Sequence, residues 1–365
     1  MSSILSVSSY KPSYTLRQEE AAEFARELFT DSFRDIERLL TVFENAEIEE
    51  RQFAVPLQWF QKEHSLKERN DLYIERATTF SVEVIRRCLN NRDFLEEDVA
   101  FEDIHAIFFI SSTGMATPSI EARVMNKLPF SIHTKRLPLW GLGCAGGAIG
   151  INRAHDYCTA YPEENVLVVC VELCSLTFQR KDRSKSNLIG TSLFADGVAC
   201  ALIVGCKSPL LAKRKKRHLP SVVATESIFL PQSEEVMGWD VKDDGLYVVF
   251  SRDIPTLIES TFKGNIERFL HKQGVTVGDL AAFIAHPGGK KVLDAYRSSL
   301  NIDEGLLRFS KRVLTKHGNM SSPTVLYVLE QAMLEEFEEG AFGLIVALGP
   351  GFCTELSLLQ WKGGT

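Results

Sequence analysis

One order of elements occurs twice along this chain of 365 residues. In each half an apolar, β-forming run ends at a polar turn. A helical stretch, a glycine-flanked polar residue, a second helical stretch and further strands follow. Ser112 and Cys144 are 32 residues apart, and their counterparts His286 and Asn319 are 33 apart. Because both the order and the spacing recur, the sequence indicates an internal duplication with two similar halves.

The strands of both halves are nearly continuous apolar runs, as expected for strands covered on both faces, and helical stretches separate them. This alternation predicts an α/β fold. The predicted strands span 104–110, 166–171, 199–204, 280–285, 343–348 and 355–361, and the predicted helices span 17–29, 31–43, 71–89, 290–300 and 323–337. We expect the halves, 1–219 and 220–365, to be hinged near residues 207–220. The basic run 213–218 in this hinge predicts a solvated connection, with an anion-binding or partner-binding patch as the alternative.

Composition excludes several classes of protein. Hydrophobic residues make up 45% of the chain and charged residues 24%, which rules out global disorder. The net charge of −7 disfavours a protein that binds nucleic-acid phosphates. Since no run of eighteen apolar residues occurs, we expect no integral membrane segment. The N-terminal residues lack a basic region followed by an apolar block, so we expect a cytoplasmic protein.

The eight cysteines do not form a metal-binding pattern. Cys170 and Cys174 are four residues apart, but no second pair or neighbouring histidine completes a zinc set. In a large cytosolic chain such cysteines are buried thiols or catalytic thiols more often than disulfides. We expect no metal and no bound cofactor.

Cys144 stands between glycines in the string Gly141 to Gly147, at the start of an apolar helix. Glycines allow a tight turn and the close approach of a substrate, and a helix N-terminus lowers the pKa of a thiol. These features predict a nucleophilic cysteine. The string also matches the dinucleotide fingerprint G-x-G-x-x-G, but the segment before it, 137–140, is short and interrupted by proline. A buried and inert Cys144 is the remaining alternative.

A nucleophilic thiol needs a base, and two of the eight histidines lie at turns before helices. His286 ends an apolar run and precedes Pro-Gly-Gly, whereas His317 precedes Gly-Asn. Asn319 can donate an amide N–H to a developing oxyanion. If the halves pack with pseudo-symmetry, Cys144 and Asn319 occupy equivalent helix N-termini at one cleft. His286 then enters that cleft from a strand end.

Four strings in this order resemble the type III polyketide synthases, the chalcone-synthase-like enzymes of the thiolase superfamily. They are Gly-Cys-Ala-Gly-Gly around Cys144, Ile-Ala-His-Pro-Gly-Gly at 284–289, His-Gly-Asn-Met-Ser-Ser at 317–322 and Gly-Pro-Gly at 349–351. The resemblance extends over essentially the whole chain. It implies the five-layered αβαβα thiolase fold, a homodimer, and a catalytic triad of Cys144, His286 and Asn319.

The resemblance also implies which residues shape the acyl cavity. Phe194 matches a phenylalanine that gates the cavity in the family, and Val248 replaces a second gating phenylalanine of the plant members. Cys174 replaces a threonine of the plant cavity, and Thr177 is retained.

Two further residues are assigned to substrate binding by the same resemblance. Ser321 belongs to the Asn-Met-Ser-Ser string. Arg38 matches one of three basic positions that hold coenzyme A in plant members, and Thr41 and Asn45 stand at the other two.

The implied activity is a decarboxylative Claisen condensation of an acyl-CoA starter with several malonyl-CoA units, in which the CoA thioesters are substrates. Val248 and Cys174 make the cavity less aromatic and less polar than in plant members, and the string at 238–241 resembles bacterial members. We therefore expect a long-chain fatty acyl starter and alkylpyrone or alkylresorcinol products. The alternatives are a 3-ketoacyl-carrier-protein synthase III and a non-catalytic thiolase-fold binding protein.

Overall fold

The apolar runs of the two halves lie side by side in one nine-stranded sheet in the computed structural model, which describes residues 1–30, 32–251 and 253–363. The strands are β1 (Ser2–Tyr10), β2 (Tyr14–Arg17), β3 (Glu50–Phe53), β4 (Ala106–Ile110), β5 (Lys135–Leu139), β6 (Asn165–Leu173), β7 (Asp196–Gly205), β8 (His218–Phe229), β9 (Met237–Lys242), β10 (Gly245–Phe250), β11 (Leu280–Ala285), β12 (Phe342–Gly349) and β13 (Cys353–Gly363). The helices are α1 (Gln18–Phe29), α2 (Ile36–Glu44), α3 (Leu66–Leu89), α4 (Ile120–Met125), α5 (Gly146–Ala160), α6 (Lys185–Leu193), α7 (Ile254–His271), α8 (Lys290–Leu300), α9 (Arg308–His317) and α10 (Pro323–Leu334).

The strand order keeps the two halves apart. It runs β11-β12-β13-β8 through the second half and β1-β7-β6-β4-β5 through the first. The halves join where β1 pairs with β8, through Ser2 with Val222 and Ser3 with Ser221. β4 runs parallel to β6 as β11 does to β12, and β5 is added parallel to β4 in the first half, so the predicted duplication is visible in the topology.

Two helices form the central layer. α5 contacts β6 and β7 of the first half and also β12 and β13 of the second, while α10 contacts β1 and β7 as well as β11 and β12. α3 covers the other face of the first half, against β1, β6 and β7. On the second half, α7 and α8 share one apolar cluster with strands β11 and β12. The two halves of the sheet therefore lie on either side of α5 and α10, and with the outer helices this gives the expected αβαβα arrangement. None of the helices in the described ranges is both long and apolar enough to cross a membrane.

Most predicted elements are present, but several boundaries differ. The third helix begins at Leu66 instead of Asp71, because Ser65 and Glu68 form a capping box at its start. The second predicted helix begins at Ile36, where Asp35 caps it, and residue 31 lies outside the described residues. Strand β1 was not predicted, since its alternating serines suggest an exposed segment.

The basic run connects the halves. It lies between the end of β7 and the start of β8, and its three lysines, Lys213, Lys215 and Lys216, bind other parts of the fold. Lys215 Nζ donates to the carbonyl of Arg92 at 2.6 Å, and Lys216 forms an ion pair with Glu336 at 2.9 Å. The side chain of Lys216 is mostly buried, so this part of the run is a packed connection rather than the solvated one we predicted.

Candidate active site

The turn that carries Cys144 lies between the edge strand β5 and the central helix α5. Residues Gly143–Ala145 form a short 3-10 turn, and α5 begins at the next residue. Gly143 has a φ of +47°, and a Cβ there would lie 2.7 Å from the Pro350 ring. A side chain is therefore excluded at Gly143 by both backbone and space. The Gly143 N–H donates to Ser112 Oγ at 3.1 Å, which fixes the turn against the end of β4.

The glycines at the start of α5 allow the two halves to meet. A Cβ on Gly147 would lie 2.4 Å from the carbonyl oxygen of Ser322, just before α10. A Cβ on Gly146 would lie 2.5 Å from Ile110. The space around Gly143, Gly146 and Gly147 is thus filled by protein, which leaves no room there for a pyrophosphate and argues against the dinucleotide alternative.

Asn319 lies beside Cys144, on the turn between α9 and α10. Its Oδ1 is 4.0 Å from Cys144 Sγ and accepts the Ser321 N–H at 2.8 Å, while its Nδ2 donates to Gly288 O at 3.1 Å. Because the Ser321 N–H requires an oxygen opposite it, the amide orientation is fixed. The structure therefore presents the Asn319 oxygen to the thiol. It leaves one Nδ2 hydrogen without an acceptor in the described part of the chain.

His286 ends β11 and is almost fully buried, with 2% exposure. Its backbone N–H donates to Val346 O at 2.8 Å, and the Gly288 N–H donates to its carbonyl at 3.1 Å. Since Gly288 also accepts from Asn319, the loop after His286 is tied to the Asn319 turn. Neither ring nitrogen of His286 has a hydrogen-bond partner among the described residues. Buried polar atoms normally have partners, so this ring is available to a substrate.

Next to this cluster is a cavity whose lining is mostly apolar. The four residues expected to shape the acyl cavity all line it: Phe194, Val248, Cys174 and Thr177. The other lining residues are Leu16, Ala21, Phe24, Arg51, Phe53, Leu57, Phe60, Ser175, Phe178, Asn187, Gly190, Thr191 and Trp239. Cys144, His286 and Asn319 do not line the cavity. Phe194 joins the two regions, because its backbone forms a bridge with Asn319 while its ring lies in the cavity wall.

Comparison with known proteins places this arrangement in a family. The family model for the N-terminal domain of chalcone and stilbene synthases matches residues 3–208, and the model for the C-terminal domain matches residues 221–361. The chain is a type III polyketide synthase of the chalcone and stilbene synthase family. It is therefore an acyltransferase that carries out decarboxylating condensation with acyl-CoA and malonyl-CoA substrates. This membership favours the polyketide synthase over both alternative functions.

Relatives match this synthase over its full length. A Bacillus subtilis (strain 168) protein named "Putative chalcone synthase" is 51% identical over 365 residues, which cover 100% of both chains. The crystal structure of 1,3,6,8-tetrahydroxynaphthalene synthase from Streptomyces coelicolor superimposes with a TM-score of 0.90 at 31% identity, covering 99% of each chain. A Mycobacterium tuberculosis protein named for α-pyrone synthesis is 28% identical over 94% of this chain and 87% of its own.

Burial decides the electrostatics of the synthase's Cys144. It raises the pKa of the Cys144 thiol to about 11, and the charge of Glu172 adds to this, while hydrogen bonds with Ser321 and Asn319 oppose it. Burial likewise lowers the pKa of His286 to about 3. The expectation of a lowered thiol pKa is therefore wrong for this structure, because desolvation outweighs the hydrogen bonds that lower the pKa. These directions favour a neutral thiol on Cys144 and a neutral imidazole on His286 at neutral pH.

Glu172 is a component of the site that the sequence reasoning missed. It lies on β6, is fully buried, and accepts from the Ser112 N–H at 2.9 Å and from Ser322 Oγ at 3.0 Å. Burial raises its pKa to about 7. Ser112 in turn holds the Cys144 turn through Gly143, so Glu172 connects the starts of both central helices. The sequence feature that could have identified Glu172 is a carboxylate within an otherwise apolar strand.

Arg38 and His317, the two remaining candidates, lie away from the residues that surround Cys144. Arg38 is on the exposed side of α2, and its Nε lies 3.8 Å from Asp35. Thr41 and Asn45 are also exposed.

His317, the alternative base, bonds through Nδ1 to Gln52 Oε1 at 2.7 Å, which gives it a structural role. In the described ranges, no three His, Cys, Asp or Glu side chains are arranged to hold a metal ion.

Proposed function

We propose that this synthase condenses a long-chain fatty acyl-CoA starter with several malonyl-CoA units to give alkylpyrones, with alkylresorcinols as a second product class. The apolar cavity beside Phe194 carries this proposal, since its wall has Val248 and Cys174 where plant members have larger or more polar residues. Burying an alkyl chain contributes about 0.8 kcal/mol per CH2. The α-pyrone relative supports the product class.

Cys144, in this proposal, is the nucleophile and His286 its base. The Cys144 sulfur attacks the acyl-CoA carbonyl as its proton passes to His286, and coenzyme A leaves as the thiol when it takes that proton. Because both groups are buried and neutral at rest, proton transfer creates a thiolate–imidazolium pair that compensates both charges locally. The acyl group then remains on Cys144 as a thioester.

Asn319 and His286 stabilise the enolate in the extension step. Malonyl-CoA loses CO2 when its C–C bond breaks, and the electron pair passes into the thioester as an enolate. The free Nδ2 hydrogen of Asn319 and a ring N–H of His286 donate to the enolate oxygen, each such donor typically contributing ~2.7–4 kcal/mol. The enolate carbon attacks the acyl carbonyl on Cys144, and the thiolate leaves. The proposal requires no metal or cofactor. Ser321 positions the Asn319 amide, because its backbone N–H donates to Asn319 Oδ1.

We place the phosphates of coenzyme A at the exposed face of α2, near Arg38. This residue has an 81% exposed side chain, so its guanidinium is free to meet a large ligand from solvent. Thr41 and Asn45 lie on the same helix and can add neutral hydrogen bonds. Arg38→Ala then raises the KM for both acyl-CoA and malonyl-CoA with little change in kcat, because the phosphates are far from the reacting carbons.

We also propose a homodimer formed through β5. This strand lies at the edge of the sheet and is mostly exposed, and edge strands present unpaired backbone groups to a second chain. Apolar side chains surround it: Ile132 is 89% exposed, Trp140 52% and Leu137 39%. Sedimentation should give a dimer that Ile132→Glu weakens. A monomeric wild type at micromolar concentration contradicts the proposal.

A panel of acyl-CoAs with malonyl-CoA, analysed by mass spectrometry, tests the proposed function. We expect kcat/KM to rise with starter length and then level off where the cavity ends, and we expect pyrones among the products. A small aromatic acyl-CoA is the matched comparison. Preference for that aromatic starter, or efficient turnover with malonyl-CoA alone, contradicts the fatty acyl proposal.

A further inference from the structure

Arg51 is a buried cation in the wall of the apolar cavity. It lies on β3, is 1% exposed, and lines the cavity together with Phe194 and Trp239. Its Nη1 donates to Thr191 O at 2.7 Å and to Phe194 O at 2.8 Å. These carbonyls end α6, where a positive charge is favourable. This nitrogen therefore holds the segment that carries the gating phenylalanine.

The rest of the guanidinium has no such role. Nε and Nη2 of Arg51 are shielded from solvent and have no hydrogen-bond partner among the described residues. These two nitrogens form one edge of the guanidinium, the edge that binds two oxygens side by side. Arg26 uses the same edge for the carboxylate of Glu37, through Nε at 2.8 Å and Nη2 at 3.2 Å.

The protein does not neutralise this edge through its nearest carboxylate. Asp196 is close enough to favour the charged form of Arg51, but its oxygens accept from Ala54 N at 2.6 Å and from Ser175 N at 2.7 Å and Oγ at 2.5 Å. Burial lowers the pKa of Arg51 to about 9. A buried cation with two unused donors is costly to the protein, so a ligand that supplies two oxygens gains directly from meeting it.

We propose that the Nε and Nη2 edge of Arg51 binds a 1,3-dicarbonyl unit of the growing poly-β-keto chain as its planar enolate. The inference rests on the proposed function, in which the chain grows into this cavity. Each extension places a new carbonyl two carbons from the last, and an apolar wall offers such oxygens no partner. The enolate forms when the carbon between two carbonyls loses a proton to solvent. Its two oxygens then match the two donors.

A titration of the intact enzyme with undecane-2,4-dione tests this site without turnover. The enolate has its own ultraviolet absorption, so its formation can be followed as pH is raised. We expect the midpoint pH for enolate formation to be lower by about one unit or more for the bound diketone than for the free diketone, because a neighbouring positive charge favours the anion. Arg51→Lys should reduce this shift, since an ammonium keeps the charge but lacks the two-donor edge, and Arg51→Gln, which also removes the charge, should abolish it. An unshifted midpoint in the wild type overturns the proposal.

A carboxylate presents the same two-oxygen chemistry, so decanoate is the second arm of the titration. Decanoate that fails to displace the bound diketone, or displaces it equally from wild type and Arg51→Lys, supports the 1,3-dicarbonyl assignment. Decanoate that displaces it from the wild type with higher affinity, and loses that advantage in Arg51→Lys, overturns the assignment in favour of a fatty carboxylate.

The product distribution gives an independent test. Arg51→Lys should lower the ratio of products with two or more extensions to products with one extension by at least about tenfold, the size of one charge-assisted hydrogen bond. Arg69→Lys is the matched control, because Arg69 is also buried but uses its donors on the carbonyls of His64, Leu176 and Phe178. An equal change of ratio in both variants overturns the proposal. If fatty acyl-CoA proves to be no substrate, the proposed starter fails, whereas the diketone titration still decides the Arg51 site.

Discussion

The side-chain oxygen of Asn319 lies 4.0 Å from the sulfur of Cys144, although 175 residues separate them along the chain. They meet because the glycines at the start of α5 let this helix pack directly against Ser322, the residue that precedes α10. An oxygen facing the sulfur can accept the S–H of the neutral thiol. In the mechanism that we propose, Cys144 becomes reactive when its proton passes to His286.

Alkylation of Cys144 should depend steeply on pH. Because burial raises the pKa of this thiol to about 11, its thiolate fraction at neutral pH is below that of an ordinary thiol. We expect its rate with iodoacetamide to rise about tenfold per pH unit through the neutral range, since the thiolate is the nucleophile. Peptide mapping should show exposed Cys206 labelled first. A Cys144 rate that is flat between about pH 6 and about pH 8 would mean a preformed thiolate–imidazolium pair.

Replacing the two candidate histidines should have opposite consequences. His286→Ala removes the proposed base and one donor to the enolate, so condensation should fall by at least about 10²-fold. His317→Ala should keep substantial activity but lose about 1–3 kcal/mol of stability, because Gln52 loses its partner. Steady-state rates and urea unfolding of both variants measure this. The reverse ranking of the two rates shows that His317 is the base.

The Nδ2 donor of Asn319 can be tested apart from its oxygen. Asn319→Asp keeps an oxygen for the Ser321 N–H but removes the donor, so malonyl-CoA decarboxylation should fall by about 10²–10³-fold. Acyl loading of Cys144 should persist, and intact-protein mass should show the adduct. Asn319→Ala is the comparison that removes both functions. Normal CO2 release from radiolabelled malonyl-CoA in Asn319→Asp refutes the donor role.

Filling the cavity should shorten the accepted starter. Cys174→Phe places a large ring in the wall, so long acyl-CoAs should fail while short ones still react. Overpacking commonly costs ~1–3 kcal/mol, and melting curves must show that the variant is folded. Val248→Phe fills the same cavity from β10 and should act in the same direction. An unchanged chain-length profile in two folded variants means that the acyl chain lies elsewhere.

The fold could largely be predicted because its strands are apolar runs and its halves repeat. Strand β1 could not be predicted, because Ser2, Ser6 and Ser8 are residues of a type that is usually exposed. In the structure they are buried at the centre of the sheet. Ser6 Oγ donates to Cys88 O at 2.7 Å, a partner 82 residues away that no local pattern reveals. The boundary of α3 was predictable, since Ser65 and Glu68 have the spacing of a capping box.

The site residues that belong to local sequence motifs could be predicted. The properties that depend on contacts between distant parts of the chain could not. Glycines next to Cys144 suggested a reactive thiol, but the thiol's pKa depends on burial by both halves. Arg51 lies in a charged stretch that looks like a solvated strand, and its position beneath Phe194 arises from the packing of β3 against the end of α6. Desolvation is a property of the assembled fold, so residue spacing does not report it.

Intact-protein mass spectrometry after incubation with decanoyl-CoA, without malonyl-CoA, tests the central claim most directly. We expect one decanoyl group per chain, located on Cys144 by peptide mapping and absent from Cys144→Ala. Later addition of malonyl-CoA should remove the adduct and release a decanoyl-derived pyrone. An adduct on another residue, or pyrone formation by Cys144→Ala, contradicts the account.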